Sequence, residues 1–419
     1  MNKFILFFLS AFVLFSCSDE IPEEKLPVKS GRTVLAYLIS NNSSGSLDSN
    51  LKHNLVDMYS GLAATKDTCS LLVYYRPYES DADGLEGPSI LMFTSDGNGN
   101  INNKPVLGSE ELNAKNVIAR SIITSYKEEK NHNATDPKTM QRILEQMKEL
   151  SPSESYGLIF GSHGSGWMKG KSVKGRAFGD DAGYNIDIPD MADALGNTFD
   201  KPLDFILFDA CMMATAEVCY EFKDITNYIV GSVVETHVYG NPYDVIIPKL
   251  YDKDVNYKEI CKDYIDYSKS IDGWGVAATI DCSRMDELAG WIKDNIQNYS
   301  SEISELNLKD VQQYGIRDYK YFSFDIIDLF KTLNDGVVPV ELQTIMDRVV
   351  IAKEALYGEL YRVVGSLLVE EGRYCGIGMY IPYNDNINRS DWDKYYEESI
   401  AWYEAAGWEE YVNNIQNQN

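Results

Sequence analysis

Two short stretches of the sequence decide the fold. Residues 156–167 read YGLIFGSHGSGW, and residues 203–211 read LDFILFDAC. Each begins as a short apolar run bounded by turn signals, which is the pattern of a strand buried on both faces. Each ends at a reactive residue, His163 in the first stretch and Cys211 in the second. Because chemistry in open α/β sheets takes place just beyond the carboxyl ends of such strands, we expect these two residues to meet there.

The rest of the chain alternates between strand and helix patterns. Further strands are predicted at 33–39, 70–75, 90–94, 228–234, 275–280 and 376–381. Helices are predicted at 51–62, 137–150, 188–195, 212–222, 242–250, 257–267, 285–296, 340–357 and 392–412. Residues 164–187, rich in Gly, Lys and Asp, are predicted to form a loop. The alternation indicates mostly parallel βαβ units and therefore an α/β fold.

The first 31 residues are predicted to target the protein rather than to fold with it. Lys3 precedes an apolar stretch, 4–15, that is too short to span a membrane comfortably. The residues LFSC then resemble a bacterial lipobox, which makes residues 1–17 a lipoprotein signal peptide and Cys17 the lipidated residue. The alternatives are an ordinary signal peptide cut elsewhere, or a buried cysteine. Residues 18–31 are interpreted as a solvated tether, so we expect attachment to a bacterial membrane at the cell surface or in the periplasm.

Composition excludes several classes of protein. The chain has 419 residues, is 44% hydrophobic and carries a formal net charge of −26, so it can bury a core but is a poor partner for nucleic acid. Its seven cysteines are scattered without a CxxC pair, so no metal site is predicted. One or two disulfide bonds remain possible, because the N-terminal segment predicts a protein outside the cytosol. The absence of an HExxH run disfavours a metalloprotease.

A cysteine beside a histidine suits nucleophilic catalysis. A thiol becomes a nucleophile when it ionises, and an imidazole or a helix N-terminus lowers its pKa. We expect Cys211 to have both, with a helix over 212–222, and His163 to move the proton. The N–H groups of Gly164 and Cys211 could hold the developing oxyanion. No acid is obviously placed to orient the histidine, so the prediction is a Cys–His dyad.

This pattern resembles the caspase-like peptidases, in which the histidine lies about 50 residues upstream of the cysteine; here the separation is 48 residues. It is most similar to the clostripain-like peptidases, which carry HGSGW and DAC followed by Met, as at 163–167 and 209–212 here. The resemblance implies a caspase-like core at 32–297, with a mostly parallel sheet flanked by helices. A smaller C-terminal α+β part, 298–419, is expected to pack on it. The resemblance also implies a secreted, monomeric cysteine endopeptidase that acts on peptides or proteins after basic residues.

The resemblance assigns specificity to two acids. Asp209 matches the acid that lines the pocket for a basic side chain in the family, and Glu235 falls in the stretch used for the pocket wall. Either acid could instead be structural. The family commonly has two adjacent acids and a GxGW-like run in that wall, whereas residues 233–243 read VVETHVYGNPY here. Two alternatives therefore stay open: a peptidase that prefers non-basic residues, and a surface binding module without turnover.

Self-processing and calcium are two further implications of the resemblance. The family often cleaves itself between the histidine and the cysteine, and residues 169–176 hold four cations. Lys174 and Arg176 are the candidate cleavage sites, against the alternative of a solvated basic loop. No cofactor is predicted to be required. Calcium binding stays possible, because four acids follow these residues, although their spacing matches no known calcium-binding loop. The four acids are Asp180, Asp181, Asp187 and Asp190.

The other histidines and the nearest cysteine carry no predicted chemistry. Cys219 is predicted to lie in the core, two helical turns after Cys211. His237 is expected at the surface or on a pocket rim, and His53 and His132 are expected to be exposed.

Overall fold

The computed structural model describes residues 30–42, 44–78, 87–101, 112–168, 177–317, 320–361, 367–382 and 390–418. The predicted signal peptide with Cys17 and nearly all of the tether lie outside the described residues. So does the segment 169–176 with the two candidate cleavage sites. No described helix is long and apolar enough to cross a membrane.

The strands of the described chain are β1 Arg32–Ile39, β2 Thr68–Arg76, β3 Ser89–Asp96, β4 Ile122–Ser125, β5 Ser155–Gly161, β6 Phe178–Asp181, β7 Tyr184–Ile186, β8 Phe205–Asp209, β9 Tyr228–Gly231, β10 Val276–Asp281, β11 Gln313–Arg317, β12 Lys320–Asp325, β13 Val350–Ala355, β14 Gly358–Tyr361, β15 Leu367–Val369 and β16 Gly378–Met379. The α-helices are α1 Asp48–Ala63, α2 Ala114–Ser121, α3 Pro137–Leu150, α4 Ile188–Thr198, α5 Ala216–Glu221, α6 Tyr243–Lys249, α7 Tyr257–Ser270, α8 Met285–Asn295, α9 Ser300–Glu305, α10 Ile326–Leu333, α11 Val340–Val349, α12 Ser390–Ser399, α13 Ala401–Ala405 and α14 Trp408–Gln418. Short 3-10 turns lie at Cys282–Arg284, Ile296–Tyr299 and Leu308–Asp310.

A nine-stranded sheet forms the centre of the described chain, in the order β13-β10-β9-β8-β5-β1-β2-β3-β4. The five inner strands β9, β8, β5, β1 and β2 run parallel, and their neighbours β10 and β3 are antiparallel to them. The edge strands β13 and β4 pair antiparallel with β10 and β3. The predicted α/β class with a mostly parallel central sheet is confirmed. Since the inner strands run parallel, their carboxyl ends meet at one edge of the sheet.

Helices cover both faces of this sheet, which explains why its strands are continuous apolar runs. Along β1, Val34 and Ala36 pack into one core with α1, α6 and α7. The alternate residues Leu35 and Tyr37 pack into the other core with α3, α4, α5 and α8. The sheet is therefore held rigid from both sides, and its carboxyl edge is a fixed platform for side chains.

The part of the chain after residue 297 shares this sheet and core. Helix α11 ends at Val349 and strand β13 follows at once, pairing antiparallel with β10. The predicted helix over 340–357 is confirmed as far as Val349. Its continuation to residue 357 was wrong, because the β-branched run after Val349 completes the edge of the sheet instead. Trp402 and Trp408 of the C-terminal helices are buried in the same core as β5 and β8.

Candidate active site

The two motifs end side by side on the sheet. Strands β5 and β8 pair in parallel, with Gly161 opposite Asp209. His163 and Cys211 each lie two residues beyond this last pair. A Cβ on Gly164 would lie 2.7 Å from the carbonyl oxygen of Cys211, so the chain after the histidine packs directly against the cysteine. The structure thus brings the two predicted reactive segments together at the carboxyl edge.

The chain turns sharply after Cys211 but does not enter a helix. Met212 has a φ of +61°, a left-handed conformation that is uncommon outside glycine. Its N–H donates to the carbonyl oxygen of Val234 at 3.0 Å, and helix α5 begins only after Thr215. The predicted helix start at Met212 was wrong, because the residues after the cysteine pair with the chain that follows β9. No helix N-terminus therefore begins at the sulfur.

The Cys211 thiol is partly exposed and neutral in this state. Its Sγ lies 3.6 Å from Thr236 Oγ1. Burial raises the pKa of Cys211 to about 11, the charge of Glu235 acts in the same direction, and the hydrogen bond from Thr236 opposes both. The expected lowering of the thiol pKa is therefore absent here. Ionisation of this thiol requires a base that takes its proton during the reaction.

Asn42 contacts the histidine, a residue that the sequence analysis missed. Asn42 Nδ2 lies 3.2 Å from His163 Nε2, and it also lies 3.0 Å from each of the hydroxyls of Ser44 and Ser46. Its Oδ1 is buried and has no hydrogen-bond partner. Asn42 follows the carboxyl end of β1, the neighbour of β5. The available signal was the polar triplet that ends the first predicted strand at this same edge.

The orientation of the Asn42 amide decides which nitrogen of His163 carries a proton. Nδ2 has two hydrogens and therefore cannot donate to all three neighbours. After a half-turn of the amide, Oδ1 would accept hydrogen bonds from His163 Nε2–H and from the Ser46 hydroxyl, while the Ser44 hydroxyl donates to Ser46 Oγ. Nε2 would then hold the proton, and transfer from the thiol would go through Nδ1.

The two predicted oxyanion donors are not used elsewhere. Neither the Gly164 N–H nor the Cys211 N–H donates a hydrogen bond to another described residue. The flanking groups are engaged, because Ser165 N–H donates to Ala177 O at 3.0 Å and Gly179 N–H donates to His163 O at 2.9 Å. Two adjacent backbone donors beside the sulfur are thus available to a substrate oxygen.

Asp209 is buried just behind the cysteine. Its Oδ2 accepts hydrogen bonds from the Tyr243 hydroxyl at 2.9 Å, from Asn54 Nδ2 at 3.4 Å and from the Asn241 N–H at 3.4 Å. Burial raises the pKa of Asp209 to about 6, although these hydrogen bonds oppose the change. The backbone carbonyl oxygen of Glu235 accepts from Trp274 Nε1 at 3.2 Å. The charges of both predicted specificity acids act on the Cys211 thiol.

A small cleft with about 20 Å³ of free volume lies near these groups, between β8, β9, β10 and helix α7. Its floor is apolar, and its polar lining residues are Ser232, Thr236, Asn241 and Tyr264. Two residues that line the cleft also contact the site, because Thr236 lies against the Cys211 sulfur and the Asn241 N–H donates to Asp209.

The described chain after residues 169–176 lies beside the histidine. Gly164 forms an antiparallel bridge with Phe178 of the hairpin β6–β7, which was predicted as part of the loop. The hairpin is therefore fixed next to His163.

The acids considered for calcium do not form a metal site in the part of the chain that the structure describes. There, no group of three or more His, Cys, Asp or Glu residues is placed to hold an ion. Asp181 instead pairs with Arg76 at 3.0 Å and accepts from Asn41 at 2.6 Å. The six described cysteines are free thiols.

A cysteine and a histidine at neighbouring strand ends of a caspase-like sheet define a cysteine peptidase. Residues 36–414 match the family model described as the clostripain family, so this chain belongs to the clostripain family. Clostripain of Hathewaya histolytica is 31% identical over 124 residues, which cover 27% of this chain and 23% of clostripain. The match thus spans about a quarter of that relative.

Solved structures show the same fold. An inactive zymogen of a C11 protease from Parabacteroides distasonis is 23% identical, with a TM-score of 0.70 over 91% of this chain and 99% of its own. A secreted C11 cysteine protease from Bacteroides thetaiotaomicron, in complex with an irreversible peptide inhibitor, is also 23% identical. Its TM-score is 0.69 over 90% of this chain and 99% of its own.

Proposed function

We propose that this chain is an extracytoplasmic endopeptidase that cleaves peptide bonds after basic residues with Cys211 as nucleophile and His163 as base. The observation that carries the proposal is the shared position of the two residues, each two steps beyond the paired ends of β5 and β8. Family membership and the fold of a secreted relative support the same reading.

The reaction would begin with proton transfer from the neutral thiol to His163. The thiolate then attacks the substrate carbonyl carbon, and the oxygen that becomes negative accepts hydrogen bonds from the N–H groups of Gly164 and Cys211. The imidazolium next donates its proton to the leaving amine, which breaks the peptide bond and leaves an acyl-enzyme for water to hydrolyse. Asn42 would act as a positioning residue that holds the ring through Nε2.

The preference for basic residues rests on Asp209. The buried acid two residues before the nucleophile would pair with a substrate cation in a partly desolvated site. Glu235, whose charge acts on the Cys211 thiol, would add negative potential to the same region. The effect of calcium is tested by the same assay.

A panel of fluorogenic peptides tests this proposal. The peptides carry Arg, Lys, Asn, Asp or Leu before the cleaved bond and are assayed with and without calcium. Wild type should cleave the Arg and Lys peptides, and Cys211→Ala should cleave none. The matched control is Cys219→Ala, because Cys219 is a buried thiol in the next helix, α5. Preferred cleavage after Leu or Asp would contradict the basic preference, and activity in Cys211→Ala would contradict the nucleophile.

Self-cleavage at Lys174 or Arg176 is part of the proposal. What supports it is that Phe178, two residues after this segment, bridges to Gly164 beside His163, together with the four cations in the segment. Mass spectrometry of purified protein should show two fragments for wild type and one intact chain for Cys211→Ala. Intact chains in both samples would refute self-cleavage without affecting the peptide assay.

A further inference from the structure

A hydroxyl group lies against the sulfur of the proposed nucleophile. Thr236 Oγ1 is 3.6 Å from Cys211 Sγ, which is a hydrogen-bond distance for sulfur. Among the described residues, Cys211 is the one that bonds to this hydroxyl. Both side chains are partly exposed. The hydroxyl hydrogen is therefore available to the sulfur at the place where a substrate would meet it.

Main-chain hydrogen bonds fix the position of this threonine. The N–H of Met212 donates to Val234 O at 3.0 Å. The N–H of Ala214 donates to Ser232 O, also at 3.0 Å. The residues just before Thr236 are thus paired with the turn that follows the nucleophile. Because the two segments are joined directly, the backbone holds the hydroxyl against the sulfur.

The charged groups around the sulfur disfavour a thiolate. Burial raises the pKa of Cys211 to about 11, and the charges of Glu235 and Asp209 add to that rise. Hydrogen bonds from the side chain and the main chain of Thr236 oppose it. The ionisable groups of the described chain that face the thiol come from four elements, and they are Asp209 on β8, Glu235 after β9, Tyr264 on α7 and His163 beyond the end of β5.

Such a site needs a neutral donor at the sulfur, since no helix begins there. A hydrogen bond to an ionised group is about twice as strong as one between neutral groups, so a hydroxyl bonds more strongly to a thiolate than to a thiol. Resting on the proposed role of Cys211, we propose that Thr236 is a catalytic residue that donates its hydroxyl hydrogen to the thiolate.

This contact acts on the formation of the nucleophile. The thiol proton moves to His163, and Thr236 keeps its own hydrogen while it bonds to the negative sulfur. When the sulfur forms its bond to the substrate carbon, the charge passes to the carbonyl oxygen and the hydrogen bond from Thr236 weakens. Thr236 therefore raises the population of thiolate and does not stabilise the oxyanion.

Alkylation by iodoacetamide tests this role without a substrate. Mass spectrometry of the peptide that contains Cys211 follows the reaction between about pH 7 and 9. Thr236→Val replaces the hydroxyl with a methyl group and should raise the thiol pKa by about one unit. That change leaves about tenfold less thiolate, although the more basic thiolate is intrinsically about threefold more reactive. The alkylation rate should therefore fall about threefold across this range.

Two further variants separate the hydrogen bond from packing. Thr236→Ser keeps the hydroxyl and should keep the wild-type alkylation rate. Thr65→Val is the matched control, because Thr65 Oγ1 lies 3.4 Å from the sulfur of another cysteine, Cys69, at the amino edge of the sheet. It should leave the alkylation of Cys211 unchanged. In peptide cleavage, kcat/KM should follow the same order, with a loss of about threefold in Thr236→Val alone.

The outcomes distinguish this inference from the function beneath it. An unchanged alkylation rate in Thr236→Val overturns the role of Thr236, whether or not the enzyme cleaves peptides. Equal losses in Thr236→Val and Thr236→Ser also overturn it, because they would report packing. If the valine variant does not fold, Thr236→Ala gives the same comparison with serine. If wild type cleaves no peptide, the proposed function fails, and slower alkylation of Thr236→Val still supports the contact with the thiolate.

Discussion

At the scale of single residues, Gly164 is fixed by the carbonyl group of the nucleophile itself. A Cβ at this position would lie 2.7 Å from Cys211 O and 3.0 Å from Ala210 Cβ, and neither atom can rotate away. Gly164→Ala should therefore displace the strand end and reduce kcat/KM about 100-fold, as expected when an oxyanion donor moves. Peptide hydrolysis measured alongside thermal unfolding checks this.

The matched control is Gly196→Ala in α4, where an added Cβ would have no atom within 4 Å. That change should preserve activity and raise the free energy of unfolding by roughly 0.5–1 kcal/mol, because alanine favours a helix. If Gly164→Ala kept full activity, the close packing of the two motifs would have no catalytic role.

Asn42 is predicted to act through the histidine rather than on the substrate. Asn42→Ala should lower kcat about tenfold, the usual order for one lost hydrogen bond that orients a reacting group. Asn42→Asp would place a negative charge beside Nε2 and raise the pKa of His163. The acidic limb of the kcat/KM profile should then move to higher pH by about one unit.

Asn41→Ala serves as the control, because Asn41 donates to Asp181 and not to the histidine. It should leave the pH profile in place. A purely structural role for Asn42 would lower the yield of folded enzyme without moving the acidic limb.

At the scale of elements, the sequence predicted what local patterns determine. Apolar runs located the inner strands, and the two strand ends located the histidine and the cysteine. Local sequence patterns could not predict the contacts between segments that are distant along the chain. The chain after Cys211 pairs with the residues that follow β9, and His132, expected to be exposed, is held by Tyr74 at 2.7 Å and Glu129 at 2.9 Å. Asn42 was missed for the same reason, since strand order is not visible locally.

Helix α5 is tied to the C-terminal part of the chain by one buried acid. Glu217 Oε1 accepts from the Tyr380 N–H at 2.7 Å and from the Tyr396 hydroxyl at 2.9 Å, while Oε2 has no partner. Burial raises the pKa of Glu217 to about 7. Because the folded-state pKa lies above the unfolded value, the stability from this group is complete below pH 4.5 and is lost as pH rises through about 7.

Glu217→Gln should therefore stabilise the protein at pH 8 by about 3 kcal/mol and have little effect at pH 4.5. Glutamine keeps an acceptor for both donors and carries no charge at either pH. Chemical denaturation at the two pH values measures the difference, in a Cys211→Ala background that prevents self-digestion. Glu398→Gln is the control, since that side chain is 61% exposed. Equal destabilisation at both pH values would show that glutamine merely packs badly.

At the scale of the whole molecule, the first described residues and the proposed site lie at opposite edges of the sheet. The described chain enters β1 at Arg32, on the amino edge, where the N–H of Ser30 donates to Thr68 O at 2.8 Å. Since β1 runs parallel to β5, the histidine lies at the far edge, roughly 25 Å away for eight extended residues. The described residues that follow the predicted tether are therefore far from the proposed catalytic edge.

This arrangement predicts that anchoring and catalysis are separable. Cys17→Ser should move the protein from the detergent phase to the aqueous phase in phase partitioning, because the lipidated residue is lost. Its kcat/KM on short peptides should stay within about twofold of wild type, since residue 17 belongs to the predicted signal segment and not to the proposed catalytic site. Cys211→Ala should show the reverse, remaining in the detergent phase without activity.

If Cys17→Ser stayed in the detergent phase, the lipid would not be attached at this residue. If it lost activity while becoming soluble, the N-terminal segment would act on the catalytic edge despite the distance between them.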